Sequence, residues 1–296
     1  PTGCCACTTA GYGRAEAMTG VSPLLLRAGL RYLLRHRWQG LLALTGIQLS
    51  VVDNPEEDRG RPFDFAGEPL PMDNFDVRER LDRARKPLML VSPDLSLEQM
   101  WAVKRIATLY GAELSGYSDS YVIDGDGDDY LINDDKAANR KGLELLDIDS
   151  SKEQFVDTLQ YTDLLVNFNN DLFYNGVDEE LKAQLDKTQS IAVCSHQLPV
   201  FESAAIVLPT ASYSEYGGTI VNEDYVVQRF DKALFKNEDP KDVLEITRLL
   251  GGAIIDAPHA WPGIRQSVAR LADIDPETIP AEGLNLQNSE DTNVGA

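Results

Sequence analysis

Cysteine is almost missing from this chain beyond its opening residues: Cys4, Cys5 and Cys7 crowd the start, and Cys194 stands alone. A set so sparse, with three members too tightly clustered to pair, argues against a disulfide framework and suits a reducing compartment. Long apolar runs are missing too. The longest, LLALTGIQLSVV at 41–52, has twelve residues, where a membrane-spanning helix needs about 20. Positive charge is short: 27 Lys and Arg stand against 48 Asp and Glu, a net charge of −21. General affinity for nucleic acid needs a cationic face and is not expected. Neither a G-x-G-x-x-G fingerprint nor a phosphate-binding P-loop occurs.

The charge is unevenly spread. Residues 1–50 carry Arg14, Arg27, Arg31, Arg35 and Arg37 against the single Glu16, about +4, so the rest of the chain holds about −25. Such asymmetry predicts that the two parts face different neighbours. The stretch 21–44 interleaves leucines with arginines and reads as a basic amphipathic helix. It suits docking on an acidic partner or lying on an anionic bilayer. Cys4, Cys5 and Cys7, set among Gly and Pro, match the habit of iron–sulfur ligands, whose thiolates converge from a tight loop. A cubane needs four thiolates, and neighbouring residues rarely share one cluster. The expectation is a fragment, starting at Pro1 rather than Met, whose remaining ligands lie upstream. Incidental small residues at a chain end are the alternative.

Residues 53–83 are rich in Pro, Asp and Glu, lack periodicity in their bulk, and read as a linker or wrapping loop. From residue 84 short apolar runs alternate with amphipathic stretches. Strands are expected at 87–92, 113–118, 164–169, 191–196 and 204–210. Helices are expected at 94–112, 136–148, 178–189, 238–254 and 260–272, with one more entering the strand at 164. Near-continuous apolar strands alternating with helices predict an α/β domain over 84–275, with a mostly parallel sheet covered by helices on both faces. Residues 1–52 form an irregular N-terminal extension to it, and 276–296 a flexible tail. In such folds ligands sit beyond the carboxyl ends of the strands. The loops to watch are therefore 92–96, 169–175, 195–203 and 210–218. Cys194 and His196 form a Cys-x-His pair there, although a cysteine inside a buried strand usually serves as a small hydrophobe.

The loop DGDGDDYLINDD at 124–135 partly matches a calcium-binding template, with Asp124, Asp126 and Asp128 at the first three ligand positions. It has Asp129 where the sharp turn needs Gly, and Asp135 where a longer Glu is wanted. The other reading makes it the entry to the helix that follows, with Asp135 and Asn139 near the positive end of the helix dipole.

Residues 200–231 read VFESAAIVLPTASYSEYGGTIVNEDYVVQRFD. An apolar strand ends at Pro209, and Glu215, Gly217, Gly218, Thr219, Asn222 and Gln228 follow at fixed intervals. This pattern resembles the signature of the molybdopterin-oxidoreductase-like domain. It is most similar to the version in the large, G-type iron–sulfur subunit of NADH:quinone oxidoreductase (complex I). The stretches 129–148 and 242–252 are similar to that family's Asp-rich loop with Asn-x-x-Gly and to its closing helix. The chain departs from the pattern where the family has Glu-Gly-Arg, here Asp224-Tyr225-Val226. A left-handed backbone that Gly would allow is resisted by Tyr, and the fixed cationic fork of Arg is lost.

The resemblance implies a molybdenum-free structural and docking domain that carries no active site of its own and binds no molybdopterin. The six signature residues and Pro209 would hold loops in shape. Any iron–sulfur cluster would have its ligands mostly outside this chain, and the partners would be other subunits of a multi-subunit oxidoreductase. The location implied is the cytoplasmic or matrix side, peripheral to the inner membrane through the complex. Two alternatives stay open: a fragment of an active molybdenum or tungsten pterin enzyme, and an electron-transfer subunit of an NAD-linked hydrogenase or formate dehydrogenase.

Overall fold

The computed structural model describes residues 77–128, 132–196, 204–234, 241–254 and 256–287. Cys4, Cys5, Cys7, the basic stretch 21–44 and the linker up to residue 76 lie outside the described residues. So do 129–131, 197–203 and 288–296.

Five strands form the central sheet: β1 (Pro87–Val91), β2 (Glu113–Ser115), β3 (Leu164–Phe168), β4 (Gln189–Cys194) and β5 (Ile206–Pro209), in spatial order β2-β1-β3-β4-β5. All four pairings are parallel. The expected α/β fold with a parallel sheet is therefore present. Apart from the edge strand β2, its strands are largely buried because their alternate side chains enter two separate cores. Met89, Val91, Val166, Phe168, Ile191, Val193 and Leu208 point to one face, under α1 (Val77–Arg83), α2 (Leu97–Tyr110), α6 (Val243–Leu249) and α7 (Ala257–Ser267). Leu88, Leu90, Leu165, Ala192, Cys194 and Val207 point to the other, under Phe155 and Leu159 of α4 (Lys152–Leu159) and Leu181 and Leu185 of α5 (Glu179–Leu185). Each fully buried aliphatic or aromatic side chain contributes roughly 1.5–3 kcal/mol of transfer free energy. That is why unbroken apolar runs survive in these strands.

Helix ends follow local chemistry. The long α2 starts at Ser96, whose hydroxyl accepts from the Gln99 backbone while the Gln99 side chain accepts from the Ser96 backbone. It stops at Gly111, at φ 60°, a conformation glycine enters without steric cost. The entry therefore falls after the Ser92-Pro93-Asp94 turn. The helix expected over 136–148 shrinks to α3 (Arg140–Leu145), because Asn139 uses its side chain elsewhere.

Three features differ from what the sequence predicts. Part of the stretch assigned to a linker, 77–83, is α1, with Val77 and Leu81 buried. A second sheet, antiparallel, is made by β6 (Gly218–Val221), β7 (Val226–Phe230) and β8 (Leu284–Asn285). The third follows from the second. Residues 276–287, expected to be part of a flexible tail, are held by the pairing of Val226 with Asn285 and by the buried Leu286.

Candidate functional site

The strand order places a topological switch point between β1 and β3, where one connection leaves for β2 and the other for β4. The crevice beyond their carboxyl ends is where such sheets hold ligands. Here the chain closes it with its own side chains. Asn170, fully buried, donates through Nδ2 to the carbonyls of Val91 (2.8 Å) and Tyr117 (3.0 Å). Its backbone N–H donates to Asn167 Oδ1 (2.9 Å), and the Ser92 N–H donates to the Phe168 carbonyl (3.0 Å). Tyr121 covers the mouth. Its hydroxyl accepts from the Asp171 N–H (3.1 Å) and its ring stacks on Tyr174 with centroids 5.1 Å apart.

Two carboxyls lie at this rim. Asp94, half-buried, is pushed up to about 6, mainly by desolvation; the Ala138 N–H opposes this, Asp135 adds to it and Arg140 opposes it. Its Oδ1 accepts from the Ala138 N–H at 3.0 Å. Asp171 is raised by burial, against the Phe173 N–H and the nearby His196. The neighbouring Arg140 is taken up by Asp135 and by the Ser118 hydroxyl (2.7 Å).

A second cluster lies beside the crevice and contains three of the signature residues, Gly217, Gly218 and Thr219. Asn139, fully buried, occupies the N-cap position of α3 without capping it. This corrects the helix-entry role expected for it. Instead its Nδ2 donates to the Leu95 carbonyl (2.7 Å), its Oδ1 accepts from the Val221 N–H (2.7 Å), and its own N–H donates to the Pro93 carbonyl (2.8 Å). The amide folds over position 142, where a Cβ would meet Asn139 Oδ1 at 2.3 Å. Only glycine fits there, which explains the Asn-x-x-Gly spacing.

Glu98, 1% exposed, does the same for the other motif. Its carboxyl accepts from the Thr219 N–H (3.0 Å), the Thr219 hydroxyl (2.8 Å) and Trp261 Nε1 (2.8 Å). A Cβ on Gly218 would meet Ser96 Cβ at 2.6 Å, and one on Gly217 would meet the Phe230 carbonyl at 3.0 Å. Thr219 and Val221 are the outward-facing donors of β6, so Glu98 and Asn139 terminate that edge in place of another strand.

The remaining signature residues shape loops. Pro209 ends β5 opposite Cys194. Glu215 closes a turn by accepting from the Ser212 N–H (3.0 Å) and hydroxyl (3.2 Å). Asn222 Oδ1 accepts from the Val226 N–H (2.9 Å) across the β6–β7 turn, and Gln228 sits in β7 opposite Ile220. Tyr225 adopts φ 56°, the left-handed conformation that a glycine would take without strain. Three contacts offset that cost: its hydroxyl bonds to Glu144, and Lys141 and Arg270 approach its ring at 4.7 and 5.1 Å.

Elsewhere, burial pushes the Cys194 thiol up to about 12, so it stays protonated and unreactive. His196 Nδ1 lies 3.1 Å from the Ser195 hydroxyl, and burial lowers its affinity for a proton. In the acidic loop, Asp126 pairs with Lys136 (3.0 Å), Asp128 accepts from the Ile132 N–H (3.1 Å), Asp134 from the Gly127 N–H (2.5 Å), and Asp135 holds Arg140. These carboxyls point to separate partners. Among the described residues no three His, Cys, Asp or Glu side chains are grouped to hold a metal. Glu98 and Asn170 were not singled out from the sequence. A lone acid in the first turn of a long helix, and the Asn pair after a buried strand, were the signals available.

The fold and this site define a doubly wound parallel α/β domain whose switch-point crevice is crossed by hydrogen bonds from Asn170. No family model matches the chain. It is similar to the NADH-quinone oxidoreductase G subunit of Yersinia pestis, 31% identical over 97 residues, which is 32% of this chain and 10% of that protein. It is also similar to the G subunit of the same oxidoreductase in Pseudomonas fluorescens, 27% identical over 154 residues, 47% of this chain and 16% of that protein. The similarity is thus distant, and the matched stretches span between a tenth and a sixth of those relatives' length. No helix among the described residues is long and apolar enough to cross a membrane.

Proposed function

We propose that this chain is the molybdenum-free α/β domain of an iron–sulfur electron-transfer subunit in a complex I-like NADH dehydrogenase assembly. In that role it supports electron transfer from NADH to quinone without bond chemistry of its own. It positions and insulates clusters held by neighbouring domains and docks other subunits, peripheral to the membrane on the cytoplasmic or matrix side. Cys4, Cys5 and Cys7 would contribute to an iron–sulfur site whose other ligands lie outside this chain.

The observation that carries this reading is the closed switch-point crevice. A pterin dinucleotide needs glycine-rich backbone and cationic groups around its pyrophosphate. The rim here presents Asp94 and Asp171, Arg140 is already held by Asp135, and the Asn170 Nδ2 ties the Val91 and Tyr117 carbonyls together across the strand ends. These residues do not fit such a cofactor. The similarity to the two bacterial G subunits supports the choice of assembly. Elemental analysis of the purified assembly tests the proposal: iron and sulfide without molybdenum or tungsten on this chain is the expected result. Stoichiometric molybdenum or tungsten bound to it would overturn the scaffold role in favour of an active pterin oxidoreductase.

A further inference from the structure

Residues 51–296 hold about −25 in charge, so a basic surface within them stands out. One is built where α1, the C-terminal half of α2 and the end of α6 meet. Gly251, just past α6, marks the junction: a Cβ placed there would lie 3.6 Å from both the Leu109 side chain and the Arg78 guanidinium. The Tyr110 hydroxyl donates to the Leu250 carbonyl (2.6 Å) and so ties the end of α6 to α2. Arg105 stands one helical turn before Leu109, 6.0 Å from the centre of the Trp101 ring. Arg248 and Leu249 are exposed in the last turn of α6.

Two properties coincide on this surface. Leu109 and Leu249 are 58% and 45% exposed, and apolar surface left open with charge around it marks interaction sites. The cations are not used up internally: among the described residues no ion pair holds Arg78, Arg105 or Arg248. The acids on the same three helices are mostly engaged. Glu79 pairs with Arg83, Glu98 is buried against Thr219, and Glu245 accepts from the Asp242 N–H (3.0 Å). Asp82 remains, near the Tyr110 hydroxyl. The balance facing outward is therefore positive.

Helices satisfy most of their own backbone groups, so a surface made by three of them is read through side chains and not by strand addition. Cations set around open leucines are complementary to carboxylates set around an apolar stripe. We propose that this surface docks an acidic amphipathic helix of a partner polypeptide. The apolar stripe of that helix covers Leu109 and Leu249, and its carboxylates meet Arg78, Arg105 and Arg248. The surface is independent of the family reading, so molybdenum in the assembly would leave it intact.

The test is fluorescence anisotropy on the full chain at low salt with three labelled probes: a peptide of Leu and Glu arranged as an amphipathic helix, its scrambled counterpart, and oligoglutamate. The amphipathic peptide is expected to bind at least tenfold more tightly than the other two, and to slow hydrogen exchange of the amides within 108–112 and 248–252. Arg78→Glu with Arg248→Glu, and separately Leu109→Gln with Leu249→Gln, change exposed positions only. Each pair should weaken the amphipathic peptide's apparent Kd at least tenfold with an unchanged thermal melt. No binding, equal binding of the scrambled peptide, or an affinity that either pair leaves unchanged overturns the proposal. So does self-association of the chain that Leu109→Gln with Leu249→Gln abolishes, which would assign the surface to a second copy.

Discussion

Replacing Glu98 by Ala is the sharpest perturbation of the joint between the two sheets. The substitution leaves three buried donors without an acceptor: the Thr219 N–H, the Thr219 hydroxyl and Trp261 Nε1. Each orphaned buried donor costs roughly 1–3 kcal/mol, but the hydroxyl can rotate to a new partner and such terms are not additive. A loss of about 3–5 kcal/mol is expected, a large share of the ~5–15 kcal/mol that holds a typical domain. Glu98→Gln retains one carbonyl oxygen and should cost about half as much. Equilibrium urea unfolding followed by tryptophan fluorescence reads both, since Trp261 sits at the joint. A Glu98→Ala protein within about 1 kcal/mol of the parent would refute the account of Glu98 as the terminator of β6. A second readout separates structure from chemistry: on the proposed role, an assembly carrying Glu98→Gln should pass electrons at the parent rate.

Asp94 gives a pH signature of opposite sign to most carboxylates. Its folded pKa, about 6, lies above the ordinary 3.8, so the folded state holds the proton more tightly, and the associated stability is full below pH ~4 and lost as pH rises to ~6. At ~1.4 kcal/mol per pH unit the ceiling is ~3 kcal/mol; with its partial exposure, Asp94→Asn should stabilise the protein by about 1–2 kcal/mol at pH 7.5 and by nothing near pH 3.5, read from paired melts. Tyr225→Gly should be less damaging than Tyr225→Ala, by about 1 kcal/mol, because only Gly relieves the left-handed backbone; the usual order in denaturant titrations would refute the strain argument. Gly142→Ala should cost about 2–4 kcal/mol by forcing the Asn139 amide away from the Leu95 carbonyl and the Val221 N–H, visible as faster exchange of the Val221 amide.

The parallel sheet was legible because its physics is local and repetitive. Pro87–Val91 and Leu164–Phe168 are buried at every position, which leaves apolar runs that need no alternation to be recognised. The second sheet was not legible for the converse reason. In β6 and β7 the burial alternates with intermediate positions, Gly217-Gly218 reads as a turn, and the outer edge is satisfied by Glu98 and Asn139 from residues some 121 and 82 positions away. Nothing near β6 in sequence announces those partners. The tail was misread similarly: 284–286 is too short to carry a strand pattern, and it is held by pairing with Val226 and Val227.

The candidate site was legible in its residues and opaque in their partners, and the reason bears on how the signature should be used. Gly217, Gly218, Thr219 and Asn139 with Gly142 form two spaced patterns that the sequence alone reads as loops. In space they meet at one place, the start of α2, where Ser96 and Glu98 receive the first and the Leu95 and Pro93 carbonyls receive the second. Gly142 and Gly218 are required by side chains packed over them, and Gly217 by the backbone at Phe230. The signature therefore fixes how the small sheet is fastened beside the crevice, whose rim is built from other positions, Asn170, Asp94 and Asp171. Exchanging Asn170 for Gly in this chain should loosen the β1–β3 mouth, measured as faster exchange at Ser92, and leave the Glu98 joint intact. Loss of both together would mean that fastening and crevice are one unit, and that the signature carries more than architecture.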